Sequence, residues 1–218
     1  MIENLFSSKV ITLFATQEMW DGDLYPEEQE CIRKAVPKRR REFTAGRLCA
    51  REVLFRLGVG NFPLLVGPGR APLWPKNVVG SISHCSNLCV VAATNDKVIK
   101  GLGVDVEMAG PLEISVRNLV CTEKEKQWLA DTPPLIGADM AKIIFSAKES
   151  LYKCLFSFTR GPLDFMNVQV EFTRQMNEFD VEFLNEEIAE CLRQYNLTGR
   201  YYCSDDFVFT GVEIRRQD

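Results

Sequence analysis

The chain has one histidine in 218 residues, His84. Cys85 and Cys89 lie beside it, but one imidazole and that spacing do not complete a zinc ligand set. No Cys-x-x-Cys pair occurs among the eight cysteines. Several sit in apolar runs, as Cys89 does between Leu88 and Val90, so they read as reduced core residues of a cytoplasmic protein. No run of eighteen apolar residues is present, which excludes a helical membrane span. The first residues lack a basic stretch followed by an apolar one, which argues against a secretory signal. Positive charge is not in excess: the net charge is -4 and the pI about 5.3, which argues against a nucleic-acid partner. Low-complexity tracts and sequence repeats are also missing. What remains is a soluble chain long enough for one large domain or two small ones.

The hydrophobic pattern supplies the elements. A strand is expected over 9–16 and a helix over 38–57, entered after Pro37 and closed at Gly58. A proline- and glycine-rich loop follows over 60–77. Strands are expected over 78–83, 88–94 and 101–108. Gly110-Pro111 is the expected boundary, giving halves 1–109 and 110–218. Helices follow over 113–120 and 122–130, the second with a capping box of Thr122 and Glu125. Pro133-Pro134 precedes a long helix over 138–157. Strands over 164–173 and 178–184 flank a turn at Met176-Asn177. A short helix over 186–195 and strands over 201–203 and 207–214 end the chain. Each half holds one long helix and several antiparallel strands, an α+β arrangement that allows two halves of related architecture.

Chemistry concentrates in two segments. In Gly103-Val104-Asp105-Val106-Glu107 the two carboxylates alternate with valines, so on a strand they share one face while the valines enter the core. In Phe145-Ser146-Ala147-Lys148-Glu149-Ser150-Leu151-Tyr152-Lys153, Glu149 and Lys153 are four apart and share a helix face. That is also the spacing of an ordinary surface ion pair. If strand and helix pack together, Asp105, Glu107 and Glu149 converge with Lys153. Three carboxylates so placed suit a hard cation, magnesium best when substrate phosphate and water complete its shell. Lys38-Arg39-Arg40-Arg41 with Arg47 and Arg51 forms a local basic face, suited to a small anionic ligand or an acidic protein. Arg70 and Trp74 lie in the rigid loop. His84 follows Gly80-Ser81-Ile82-Ser83 at a strand end, where its ring reaches a cleft.

Taken together, these segments resemble the Sfp-type 4′-phosphopantetheinyl transferases, more closely the branch of enterobactin synthase component D. Phe43-Thr44-Ala45-Gly46-Arg47, Trp74-Pro75 and Gly80-Ser81-Ile82-Ser83-His84-Cys85 support the two motifs in the right order, over roughly 37–160. The resemblance implies a monomer built as an internal pseudo-dimer, each half a long helix on a small, mostly antiparallel sheet. It implies transfer of phosphopantetheine from coenzyme A to a serine hydroxyl of an apo acyl or peptidyl carrier protein, releasing adenosine 3′,5′-bisphosphate. The carriers would serve fatty acid, polyketide, non-ribosomal peptide or siderophore synthesis. By position, Asp105, Glu107 and Glu149 would hold magnesium or manganese. Lys148 and Lys153 would hold phosphate, and Ser83 and His84 would meet coenzyme A. Arg47, with one of Arg39, Arg40 and Arg41, would bind the 3′-phosphate and adenine end. Arg70 stands where relatives often carry lysine. Glu149 is the expected base, and Lys153 the group that steadies charge on the reacting phosphate. The rival from another class is a coenzyme A- or carrier-binding module without catalysis; the intact set Asp105, Glu107, Glu149 and Lys153 speaks against it.

Overall fold

A computed structural model describes residues 2–132, 139–156, 158, 164–173, 175 and 177–217. Pro133, Pro134, Ala138, Ser157 and Met176, which enter the expectations above, lie outside the described residues.

Two antiparallel sheets carry the fold. The first contains β1 (Ile11–Phe14), β2 (Val79–Cys85) and β3 (Leu88–Thr94) in the order β1-β3-β2. The second contains β4 (Ile99–Met108), β5 (Val168–Phe172), β6 (Glu178–Phe183), β7 (Tyr195–Cys203) and β8 (Phe207–Arg216) in the order β4-β8-β7-β6-β5. The helices are α1 (Pro26–Cys31), α2 (Pro37–Arg56), α3 (Ile114–Val120), α4 (Glu123–Asp131), α5 (Met140–Leu155) and α6 (Glu186–Leu192). One long helix covers each sheet: α2 the first and α5 the second.

Local chemistry explains the boundaries. Pro37 opens α2, where its missing N–H is not needed. Beyond the last turn Gly58 takes φ +80°, and the Val59 N–H returns to the Leu54 carbonyl at 2.8 Å, closing a Schellman cap. Cys49, Ala50, Val53 and Leu54 face Val91 and Ala93 of β3. The Thr122–Glu125 capping box forms: the Glu125 N–H reaches Thr122 Oγ1 at 3.2 Å and the Thr122 N–H reaches Glu125 Oε2 at 2.7 Å. On α5, Ile144, Ala147, Leu151 and Leu155 line up at helical spacing against Val168, Val212 and Ile214.

Several elements differ from expectation. The short helix α1 is additional. The strand expected over 201–203 begins at Tyr195, inside the stretch expected to be helical, and α6 stops at Leu192. Asn196, Thr198, Gly199 and Arg200 conceal a strand in a polar sequence, because pairing with β8 and the Phe179 ring over Gly199 supply what alternation would. The cysteines also divide: Cys49, Cys89, Cys121 and Cys154 are buried, but Cys31 and Cys191 are exposed. All eight are free thiols.

β4 precedes Gly110-Pro111 in sequence yet completes the second sheet, pairing with β8 from Ile99 to Met108. Its glycines let α5 approach. A Cβ on Gly103 would lie 1.7 Å from the Ser150 carbonyl oxygen, which is helix backbone and cannot rotate away. Gly103→Ala is therefore expected to force strand and helix apart. The cost should be about 1–3 kcal/mol, read as a lower urea midpoint at unchanged slope. A native midpoint would show that the two backbones have room to spare.

Candidate active site

The site lies on the seam between the sheets. β2 and β4 are edge strands that run beside one another without backbone pairing. Two serines of β2 replace that pairing. Ser81 Oγ accepts the Val104 N–H at 3.1 Å, and Ser83 Oγ accepts the Val106 N–H at 3.3 Å. Buried edge donors are thereby satisfied. The single proton of Ser83 goes on to Asp105 Oδ1 at 2.9 Å.

Asp105 is 3% exposed and takes three side-chain donors, two on Oδ1 and one on Oδ2, which leaves one acceptor site of Oδ2 open. Lys153 Nζ donates to Oδ1 at 2.7 Å, to Ser83 Oγ at 3.0 Å and to the Val104 carbonyl at 3.2 Å. Ser146 Oγ reaches Oδ2 at 2.8 Å. Lys153 thus turns across the seam to Asp105; it forms no ion pair with Glu149, which rules out the ordinary i,i+4 bridge. The other two acids are half-buried. Burial pushes Glu107 up to about 7, Asp105 adds to the rise, and Lys142 and Lys153 oppose it. Burial likewise raises Glu149, against the pull of Lys153. Neither carboxylate has a hydrogen-bond donor among the described residues.

No three His, Cys, Asp or Glu side chains among the described residues stand close enough to enclose a cation. The donor chemistry of Asp105, Glu107 and Glu149 nevertheless fits one. All three offer oxygen, burial penalises the charge of Glu107 and Glu149, and neither of those two has a donor among the described residues, so a hard cation sharing substrate oxygens and water would relieve them.

Next to the acids is a basic bank. Arg39 Nη1 donates to His84 Nε2 at 2.9 Å, and His84 Nδ1 lies 3.8 Å from Glu42 Oε2. A guanidinium can only donate, so Nε2 is the acceptor; burial, with Arg39 and Lys153 nearby, holds the ring's pKa down, and Glu42 opposes them. Arg47 is 6% exposed, stacks 4.1 Å over the Phe43 ring, and leaves its Nε without a partner. Burial lowers it to about 10, so it remains charged at neutral pH. Arg40 turns away, donating to the Ala35 and Arg33 carbonyls, and Arg41 pairs with Asp21. Of the three consecutive arginines, only Arg39 is in the site.

Lys148 corrects an expectation. The resemblance puts it on phosphate, but its ammonium is fully buried on the far side of α5. There it donates to the Val120 carbonyl at 2.8 Å, Glu125 Oε2 at 2.8 Å and the Phe165 carbonyl at 2.9 Å. With all three protons taken inside the core, Lys148 is not among the side chains brought together at the seam. Residues 148 and 153 are five apart, about 140° around the helix, so one faces the core when the other faces the seam.

A cavity of 420 Å³ opens beside Lys153 and Glu149. Trp74, Tyr152 and Phe156 give it apolar walls, and Arg70 stands at its edge with φ +64°. Four participants went unassigned in the sequence: Glu42, Lys142, Ser146 and Thr210. Glu42 was legible, three residues after Arg39 on one helix face. Thr210 carried no signal, since only strand pairing brings it opposite Asp105.

A carboxylate–lysine junction between two helix-on-sheet units, with half-buried acids on one side and Arg39 and the buried Arg47 on the other, is suited to an anionic ligand. Residues 27–94 match the family model of the 4′-phosphopantetheinyl transferase N-terminal domain, and residues 101–208 match that of the 4′-phosphopantetheinyl transferase superfamily. The chain is 34% identical to 4′-phosphopantetheinyl transferase Svp of Streptomyces mobaraensis, over 98% of this chain and 89% of that one. It is 33% identical to 4′-phosphopantetheinyl transferase Npt of Nocardia iowensis, over 97% and 99%. Enterobactin synthase component D of Salmonella typhi is 35% identical over 60% of this chain and 54% of its own. The chain belongs to the 4′-phosphopantetheinyl transferase superfamily, in its Sfp-like type, and is an enzyme of that class. Among the described residues no helix is long and apolar enough to cross a membrane.

Proposed function

We propose that the protein transfers 4′-phosphopantetheine from coenzyme A to a serine hydroxyl of an apo carrier protein and releases adenosine 3′,5′-bisphosphate. The observation that carries this reading is the Lys153–Asp105–Ser83 junction, with Glu149 free beside it and both Lys153 and Glu149 lining the cavity. The serine oxygen attacks the β-phosphorus of the coenzyme A pyrophosphate. A new P–O bond forms, and the bond from that phosphorus to the bridging oxygen breaks. Glu149 takes the serine proton; burial raises its basicity above that of an ordinary carboxylate. Lys153 steadies the charge that develops on the phosphate oxygens. Asp105, Glu107 and Glu149 would hold magnesium, or manganese, which when bound neutralises pyrophosphate charge.

The N-terminal half, 1–109, supplies the groups that bind the ligand's anionic end: Arg39 and Arg47 for the 3′-phosphate, His84 and Ser83 for the pyrophosphate, Arg70 at the loop edge. The C-terminal half, 110–218, supplies α5 with Glu149 and Lys153. We further place the enzyme in the cytoplasm as a monomer; its free cysteines and a site closed within one chain support this. The direct test is incubation with coenzyme A, magnesium and a panel of apo carriers. The expected result is a mass gain of one phosphopantetheine on the carrier serine. No gain on any carrier would leave a binding module instead.

Arg47 permits a sharper test, because its buried Nε lacks a partner. Arg47→Ala is expected to raise the KM for coenzyme A more than it lowers turnover, at about 1.5–3 kcal/mol. Native enzyme should use dephospho-coenzyme A less well than coenzyme A, and the variant should hardly distinguish them. Retention of the native preference would remove Arg47 from the 3′-phosphate.

A further inference from the structure

Ser146 is out of character for a serine inside a helix. Such a hydroxyl ordinarily turns to solvent or back to a carbonyl of the preceding turn, as Ser150 does toward Ala147 at 2.9 Å. Ser146 is wholly buried and does neither. Its Oγ lies 2.8 Å from Asp105 Oδ2 and 2.9 Å from Thr210 Oγ1. Thr210, also wholly buried, lies 2.8 Å from the Ser146 carbonyl. Thr210 is the residue directly opposite Asp105 in the β4–β8 register, so the two side chains share a sheet face.

Three contacts here share two hydroxyl protons. An ionised carboxylate only accepts, so the Ser146 proton goes to Asp105. The Thr210 proton is then divided between the carbonyl and the hydroxyl oxygen of Ser146, and holds that serine's rotamer. Ser83 fixes the other carboxylate oxygen from β2. The plane of Asp105 is thus set from three elements, and Lys153 then meets a carboxylate that cannot swing.

We propose that Ser146 and Thr210 are a positioning pair: they orient Asp105 and thereby set the site's affinity for its divalent cation, touching neither cation nor substrate. This rests on the reading of Asp105 as a metal ligand. Partners of this kind, one contact removed from the metal, commonly change metal affinity by roughly 10–100-fold when lost.

The test is manganese binding to the full chain with coenzyme A present, followed by electron paramagnetic resonance of the free ion. The variants are Ser146→Ala, Thr210→Val, Thr210→Ser and Asp105→Asn, each with its melting temperature. Ser146→Ala should weaken manganese binding by about 10-fold or more. Thr210→Val, which keeps the shape and loses the hydroxyl, should weaken it in the same direction. Thr210→Ser, which keeps the hydroxyl, should bind like the native chain. The manganese concentration that half-saturates turnover should move in parallel. Lower melting temperatures with native manganese affinity in both Ser146→Ala and Thr210→Val would overturn the proposal, reducing the pair to packing. Equal losses in Thr210→Val and Thr210→Ser would overturn it as well. Native binding by Asp105→Asn would overturn the metal reading beneath it, whereas loss in Asp105→Asn with native binding by Ser146→Ala would sink the positioning role alone.

Discussion

Lys148→Met is expected to destabilise the fold by about 3–5 kcal/mol while coenzyme A binding stays near native. The ammonium is fully buried, with three acceptors between 2.8 and 2.9 Å. Removing it strips two carbonyls of their donor and leaves Glu125, 2% exposed, as a buried carboxylate without its cation. Replacing Glu125 as well does not cure the defect, because that carboxylate also accepts the Thr122 and Val170 N–H groups at 2.7 Å each. Lys148 and Glu125 together tie α5 to α4, to the end of α3 and to β5, so the loss is shared by the whole C-terminal sheet. The measurements are a urea titration and calorimetric coenzyme A binding at a temperature where the variant is folded. Weaker coenzyme A binding at native stability would return Lys148 to the phosphate.

The second large effect concerns the lysine five residues on. Lys153→Ala is expected to depress single-turnover transfer to an apo carrier by more than about tenfold, at least 1.4 kcal/mol of transition-state stabilisation. Coenzyme A affinity should change much less, since charge on the reacting phosphate builds only as the bond forms. Some stability is lost too, because Asp105 keeps its serine donors but loses its cation. Lys153→Arg should rescue in part: the charge returns, but a planar fork cannot meet Asp105, Ser83 and the Val104 carbonyl from one point as the ammonium does. A normal single-turnover rate in Lys153→Ala, together with a lower melting temperature, would make Lys153 a structural partner of Asp105 and nothing more.

These two lysines show where sequence reading stops. Both belong to one motif, and family position assigned both to phosphate. Which one faces the seam depends on how α5 is rotated against β4 and β8. Ile144, Ala147, Leu151 and Leu155 decide that rotation by entering the core. The apolar stripe was visible in the sequence; the polar atoms waiting behind it, on Val120, Glu125 and Phe165, were not. The same holds for the arginines. Arg39, Arg40 and Arg41 are equivalent as letters, and the packing of α2 sends only the first toward His84.

The sequence by itself determined the long helices, through their periodic apolar faces and their Pro37 and Gly58 ends, and the alternation that put Asp105 and Glu107 opposite the valines. It also determined the chemistry on offer, since acids, a lysine and a run of arginines can be counted from residue types and local spacing. These are short-range properties, set within one turn of helix or a few residues of strand. Only the tertiary structure decided that β4 crosses to the second sheet, that serines bridge the seam, that Lys153 chooses Asp105 over Glu149, and that Thr210 stands behind Ser146. The side-chain contacts join residues 22 to 70 positions apart, and the β4–β8 pairing joins residues still more distant, such as Asp105 and Thr210. They follow from the registry of two sheets and one helix, which no local pattern encodes.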